Sequence, residues 1–206
     1  MDNISILVVD DHAMVRMGLV SLLSTVESFS IVGEADNGEK AIQLAIKHRP
    51  DIILMDIVMP QLDGIEATRK IMSMINSSKV ILLTSEGTTD NIAQGINVGA
   101  KGAILKSSDF SSLVTTIMAV ANGDDAISPE IKQLMSEDPP IPSLSPRQQQ
   151  ILDSIVRGLY DRDIANQLGI SVYTVKEHIN SLFAKIGAAN RTEAVAIALR
   201  KHLLKI

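Results

Sequence analysis

Within the first 122 residues, a short apolar run gives way five times to a segment whose apolar residues recur at helical spacing. The runs lie at 4–9, 30–35, 52–55, 80–83 and 103–105, and the helical segments at 15–23, 38–47, 65–75, 89–98 and 110–121. Near-continuous apolar runs, as opposed to alternating ones, are the pattern of strands buried on both faces. Strand then helix, repeated, predicts an α/β doubly wound fold around a five-stranded parallel sheet. Right-handed crossovers leave such a sheet few topologies. Its sites form at the carboxyl ends of the strands.

The remainder of the chain has another character. Residues 135–143 hold three prolines within four positions, Pro139, Pro140 and Pro142, which stiffen a connecting segment and remove backbone donors. Just before it, Pro129 at a first helical position predicts a short helix to about residue 134. After it come four helical segments and no strand pattern. Ser145-Pro146 opens the first, Gly158 ends it, 161–168 and 171–186 flank a turn at Gly169, and 191–204 closes the chain. The middle pair has helix-turn-helix spacing. The expected division is 1–124 for the sheet domain, 125–143 for a linker with a short helix, and 144–206 for a small all-α four-helix domain.

Charge divides at the same place. Residues 1–142 hold 10 Lys/Arg against 19 Asp/Glu, a balance of −9, whereas 143–206 hold 9 against 5, a balance of +4. An acidic front and a basic tail suit different partners. Aromatic residues are 2% of the 206, so the cores must be aliphatic, with methionine as filler. The absence of cysteine excludes disulfides and thiolate metal sites. No run approaches the ~18 apolar residues of a membrane span, and the N-terminus lacks the basic flank of a signal peptide. A cytoplasmic protein without a membrane partner is expected.

Four motifs sit where the apolar runs stop. Asp10-Asp11 follows the first, Asp56 the third, Thr84-Ser85 the fourth and Lys106 the fifth. One edge of one sheet would therefore gather three carboxylates, a hydroxyl and an ammonium. The carboxylates are hard oxygen donors of the kind Mg²⁺ takes, with Mn²⁺ the alternative. A carboxylate attacks an anionic phosphoryl group only once charge is neutralised, which a cation and Lys106 would do. Asp56, alone at a strand end among apolar neighbours, is the expected nucleophile. Asp63-Gly64 reads as a turn.

In the tail, Val172, Val175, Ile179, Leu182, Phe183 and Ile186 form the inward face of 171–186. Lys176, Glu177 and Asn180 lie opposite, and Lys176 and Asn180 have base-edge partners in a major groove. Ser171, Tyr173, Thr174, Lys185 and Arg191 suit phosphate contacts, and His178 suits packing better than metal ligation.

The motifs Val8-Val9-Asp10-Asp11-His12, Leu54 to Pro60, Leu83-Thr84-Ser85 and Leu105-Lys106 resemble the receiver domain of bacterial response regulators, over residues 3 to about 122. Leu144-Ser145-Pro146-Arg147, Ile164-Ala165, Leu168 to Ser171, Thr174-Val175-Lys176, His178 and Asn190 to Ala194 resemble the LuxR-type DNA-binding domain. Together they resemble the NarL/FixJ class of two-component regulators. The resemblance implies that Asp56 accepts phosphate from a sensor histidine kinase. It implies that Asp10, Asp11, Asp56 and the carbonyl of Val58 hold the metal, and that Thr84 and Lys106 sense the phosphoryl group. It also implies release of the recognition helix from the receiver, a homodimer joined through the last helix, and binding to double-stranded promoter DNA. The only catalysis implied is the receiver's own phosphoryl transfer and autodephosphorylation. Three positions depart from the pattern. Ala103 replaces a common aromatic switch residue, and Gln148 and Asp163 stand where glutamates are usual. A haloacid-dehalogenase-like phosphatase would need an acid two residues after Asp56, where Val58 stands. A phosphorylation-independent scaffold would leave the full pocket idle.

Overall fold

A computed structural model describes residues 3–85, 89–141, 144–201, 203 and 204. Pro142 and Ser143, within the expected linker, lie outside the described residues. The chain divides into two compact units, 1–140 and 141–206.

The first unit runs β1 (Ile4–Val9), α1 (Ala13–Leu23), β2 (Phe29–Ala35), α2 (Gly38–His48), β3 (Ile52–Asp56), α3 (Gly64–Met74), β4 (Lys79–Thr84), α4 (Thr89–Asn97), β5 (Gly102–Leu105), α5 (Phe110–Asn122), β6 (Ala126–Ile127) and α6 (Pro129–Glu137). The sheet is parallel, in the order β2-β1-β3-β4-β5-β6. Alternate residues feed opposite faces, as the pleat requires. Leu7, Val9, Ile53, Met55, Val80 and Leu82 join Ala41, Ala67, Ile71 and Ile92 in one core. Ile6, Val8, Ile52, Leu54, Ile81 and Leu83 join Leu23, Leu113, Ile117 and Val120 in the other. Side-chain caps start the helices: Asn37, Asp63 and Asp109 accept from the N–H groups of Lys40, Glu66 and Ser112. Asp63 is thus a cap for α3, which gives the expected Asp63-Gly64 turn its purpose.

Among the described residues the sheet has six strands where five are expected. Ala126 N–H donates to the Lys101 carbonyl (2.8 Å) and Ser128 N–H to the Ala103 carbonyl (3.0 Å), which lays β6 along β5. Close approach depends on Gly102, whose added Cβ would stand 2.9 Å from the Ala126 carbonyl oxygen. Ser128 then caps α6, and Pro129 fills its first turn. Ile131 is fully buried in the same core as Ala103, with Met135 packed against it. The segment expected as a linker therefore supplies both a strand and a helix to the first unit. A two-residue strand has too few residues to show any periodicity.

The second unit consists of α7 (Pro146–Val156), α8 (Asp161–Leu168), α9 (Val172–Ile186) and α10 (Arg191–Arg200). Ser145 and Gln148 form a reciprocal capping box at the start of α7. Gly169, at φ 64, ends α8 and lets the chain turn sharply into α9, which Ser171 caps. Ile151, Leu152, Ile155, Ile164, Val175, Leu182, Ala194 and Ala198 make the core. Val172, expected on the inward face, is exposed because it opens α9 at its unpacked end. The last helix stops at Arg200, short of 204, and Gln149 holds the Leu203 carbonyl (2.6 Å). Among the described residues no helix is long and apolar enough to cross a membrane.

Candidate functional site

The chain order reverses between β1 and β3, and their carboxyl ends frame a crevice. Asp10 follows β1 and is fully buried; Asp56 ends β3 and is nearly so. Lys106, one residue after β5, places Nζ 2.7 Å from Asp10 Oδ2 and 2.8 Å from Asp56 Oδ2. One ammonium therefore neutralises two buried carboxylates. Asp10 Oδ1 accepts from His12 N–H (2.8 Å), and Asp56 Oδ1 from Val58 N–H (3.4 Å). His12 Nδ1 lies 2.7 Å from Asp11 Oδ1. One ligand atom from each of Asp10, Asp11, His12 and Asp56 falls within a 4.8 Å set. Thr84 ends β4, buried, and its carbonyl accepts from Lys106 N–H (2.7 Å). Ala103 is fully buried two rungs back on β5. Val58 is 68% exposed at the mouth. The structure therefore brings together the four strand-end motifs of the first unit.

Burial pushes the Asp56 carboxyl above the ordinary carboxylate value, and the hydrogen bond and charge of Lys106 only partly oppose it. Burial alone would pull the Lys106 ammonium down, but its bonds to Asp10 and Asp56 outweigh that and hold it above the ordinary lysine value. These directions fix a stability test. Unfolded chains lose the Asp56 proton near 3.8, and the folded chain holds it to higher pH. Stability therefore falls as pH rises through the window between those two values, and stays lower above it. Asp56→Asn, measured in chelator, is expected to raise the thermal midpoint at pH 7. The gain should vanish as pH drops below 3.8, and an equal or lower midpoint at pH 7 would contradict it.

In the second unit Lys176, Glu177, Asn180 and Tyr173 are exposed along α9, while Val175 and Ile179 are buried. Ser171 and Thr174 hydroxyls bond each other (2.9 Å), and Ser171 caps the Thr174 N–H (3.0 Å). Lys185 Nζ reaches Gln148 Oε1 (3.4 Å), whose amide donates to Ser181 (3.3 Å). Arg191 donates to Asp161 Oδ1 (3.2 Å) and to the Leu159 carbonyl, which ties the start of α10 to the α7–α8 connection. Its guanidinium is thus bound internally, whereas Lys176, Glu177 and Asn180 stand exposed on α9. His178 belongs to no metal-capable group among the described residues. Arg16 and Glu34, which flank the acidic crevice and form an ion pair, carry no motif and were not expected there.

A sheet with an acid–lysine crevice at its carboxyl edge, joined to a helix-turn-helix unit, defines a receiver-type regulator with a DNA-binding tail. Residues 6–118 match the family described as response regulator receiver domain, and 142–198 match bacterial regulatory proteins of the luxR family. The transcriptional regulatory protein YdfI of Bacillus subtilis (strain 168) is 38% identical over 209 residues, spanning 98% of each chain. The crystal structure of response regulator ChrA, from a heme-sensing two-component system, is 32% identical with a TM-score of 0.59, covering 99% of this chain and 100% of ChrA. The RcsB–DNA complex shares the fold, at 23% identity and a TM-score of 0.72, over 97% of this chain and 99% of RcsB. The chain belongs to the response-regulator family with a LuxR-type DNA-binding domain: it is a two-component transcription regulator.

Proposed function

We propose that Asp56 is the phosphoacceptor for a sensor histidine kinase. The observation that carries this reading is the position of Lys106 Nζ, 2.7 and 2.8 Å from the Asp10 and Asp56 carboxylates at the crevice floor. The donor set fits a hard divalent cation, since three carboxylates from two strand ends supply oxygen donors around one small volume, with His12 beside them. Asp10, Asp11, Asp56 and the Val58 carbonyl would hold Mg²⁺, or Mn²⁺ in its place. Bound there, the cation supplies charge neutralisation on the phosphoryl oxygens. The chain's own groups do the rest. Asp56 offers Oδ1 or Oδ2 as nucleophile, and Lys106 turns its ammonium to the negative charge that gathers on the transferred group. Thr84 gives its hydroxyl to a phosphoryl oxygen. Because the Lys106 N–H rests on the Thr84 carbonyl, the two sensing residues share one backbone rung.

The output is promoter DNA. The first unit, 1–140, serves as input and the second, 141–206, as output. Lys176, Asn180 and Glu177 read base edges, while Ser171, Tyr173, Thr174 and Lys185 meet phosphate. Arg191 anchors α10 and has further N–H groups to offer a phosphate. Phosphorylation frees the tail and favours a homodimer whose two-fold axis matches a near-palindromic site. Exposed Leu199 gives α10 an apolar contact for the second copy. Acting on the chromosome, the protein works in the bacterial cytosol.

The test uses the full chain and genomic fragments that it retains in vitro. A small-molecule phosphodonor with Mg²⁺ is expected to tighten wild-type binding about tenfold, within the usual range of coupling between sites. Asp56→Ala should show no response. An equal response from both proteins would remove Asp56 from the role.

A further inference from the structure

Asp10 lies just past the end of β1, where the strand ladder runs out and a backbone carbonyl has no neighbouring strand to meet. Its N–H still donates to the Ala35 carbonyl of β2 (3.1 Å). Its carbonyl is taken by a side chain from α1: Arg16 Nη1 donates to it at 2.7 Å. The same guanidinium turns its Nε edge to Glu34 Oε2 on β2, at 3.4 Å. The Arg16 side chain is only 18% exposed, which is low for an arginine on the first turns of a surface helix. Arg16 N–H also donates to the His12 carbonyl, so backbone and side chain of one residue grip both ends of the Asp10–His12 turn.

A planar guanidinium held on two edges fixes direction as well as charge. The Asp10 backbone is clamped at its N–H by β2 and at its carbonyl by Arg16. That fixes the main chain carrying the Asp10 and Asp11 carboxylates, whose ligand atoms share the set with His12 and Asp56. Partners behind a metal's direct ligands set ligand orientation, and their loss weakens metal binding even though they never touch the ion.

We propose that Arg16, anchored by Glu34, is the positioning residue that aims the Asp10-Asp11 pair at the divalent cation. The proposal rests on the reading of the crevice as a cation site. Its function is to hold carboxylates already turned inward, so that the cation meets a formed site.

The test is direct Mg²⁺ and Mn²⁺ binding to the full chain by calorimetry, without phosphodonor, alongside thermal melts of each metal-free protein. Arg16→Gln is expected to weaken both ions about 10- to 100-fold. Arg16→Lys keeps the charge and loses the two-edged grip, and should still weaken binding about tenfold. Glu34→Ala frees the far edge and should fall between Arg16→Lys and wild type. Should Arg16→Gln fail to fold, Arg16→Lys decides alone. Wild-type affinity in Arg16→Lys would show that charge suffices and overturn the positioning role. Lowered melting with wild-type affinity in every variant would make Arg16 a packing residue and overturn it as well. Loss of binding in Asp11→Asn, with Arg16→Gln unchanged, overturns this proposal and leaves the crevice reading standing. A wild-type chain that binds neither ion overturns both.

Discussion

Gly64→Ala is expected to cost the first unit at least about 3 kcal/mol and to lower its thermal midpoint by roughly 10 °C or more. Gly64 is the first residue of α3, and its N–H donates to the Ile57 carbonyl at 2.9 Å. That bond draws the helix start hard against the end of β3. A Cβ there would sit 1.9 Å from the Asp56 carbonyl oxygen and 2.9 Å from its carbon. The obstacle is backbone, so no rotamer change relieves it, and either α3 or the Asp56 peptide must move. Gly18→Ala provides a control of opposite sign. Gly18 lies mid-α1 with nothing within 4 Å of an added Cβ, so alanine there should stabilise by about 0.5–1 kcal/mol. Melting of both variants checks the pair, and a Gly64→Ala protein with the wild-type midpoint would contradict the close approach.

Lys106→Ala should slow phosphorylation of Asp56 by about 10²–10³-fold at saturating Mg²⁺, the usual loss when one preorganised charge donor is removed from a transition state. The same change should tighten Mg²⁺ binding. The ammonium lies within ion-pair distance of both Asp10 and Asp56, so a cation held by those carboxylates must compete with it. Removing it leaves two buried carboxylates facing each other and takes away the chief influence that lowers the Asp56 value. Opposite movements of ion affinity and transfer rate would separate a charge that acts on the phosphoryl group from one that only holds the crevice shut. A transfer rate within threefold of wild type would reject the role given to Lys106. The readouts are label incorporation from a phosphodonor and calorimetry with Mg²⁺.

The central sheet was legible because its strands are buried on both faces and read as unbroken apolar runs. The crevice was legible for a related reason: a parallel sheet brings all strand ends to one edge, so Asp10, Asp56, Thr84 and Lys106 could be gathered from position alone. Legibility failed where tertiary contact supplied the order. Ala126-Ile127 forms a strand because β5 offers it a free edge, and its sequence neighbours Pro129 and Pro139 suggest a connector. Arg16 looks like any surface arginine on α1, and only the fold shows Glu34 and the Asp10 carbonyl within its reach. Arg191 suits a phosphate contact by its charge, and only the fold shows that it also holds Asp161 and the Leu159 carbonyl, some thirty residues back in sequence. Val172 fits the helical period but sits on the first turn of α9, beyond the reach of the core.

The short sixth strand also bears on solubility. A sheet rim with free N–H and carbonyl groups invites the strand of another molecule, and a flat apolar rim invites it most. Gly102 to Leu105 would be such a rim: four largely apolar, mostly buried residues with regular backbone. β6 covers it, and β6 is itself two residues long and continues at once into Ser128 and α6, so it offers no stranger a register to copy. The opposite rim, β2, is spoiled differently, by the register break opposite Ile6 and Leu7 that interrupts its ladder with β1. A receiver fragment trimmed after Gly123 would lose the first protection and keep only the second, and would be prone to stack rim to rim. One carried through Pro140 would stay dispersed.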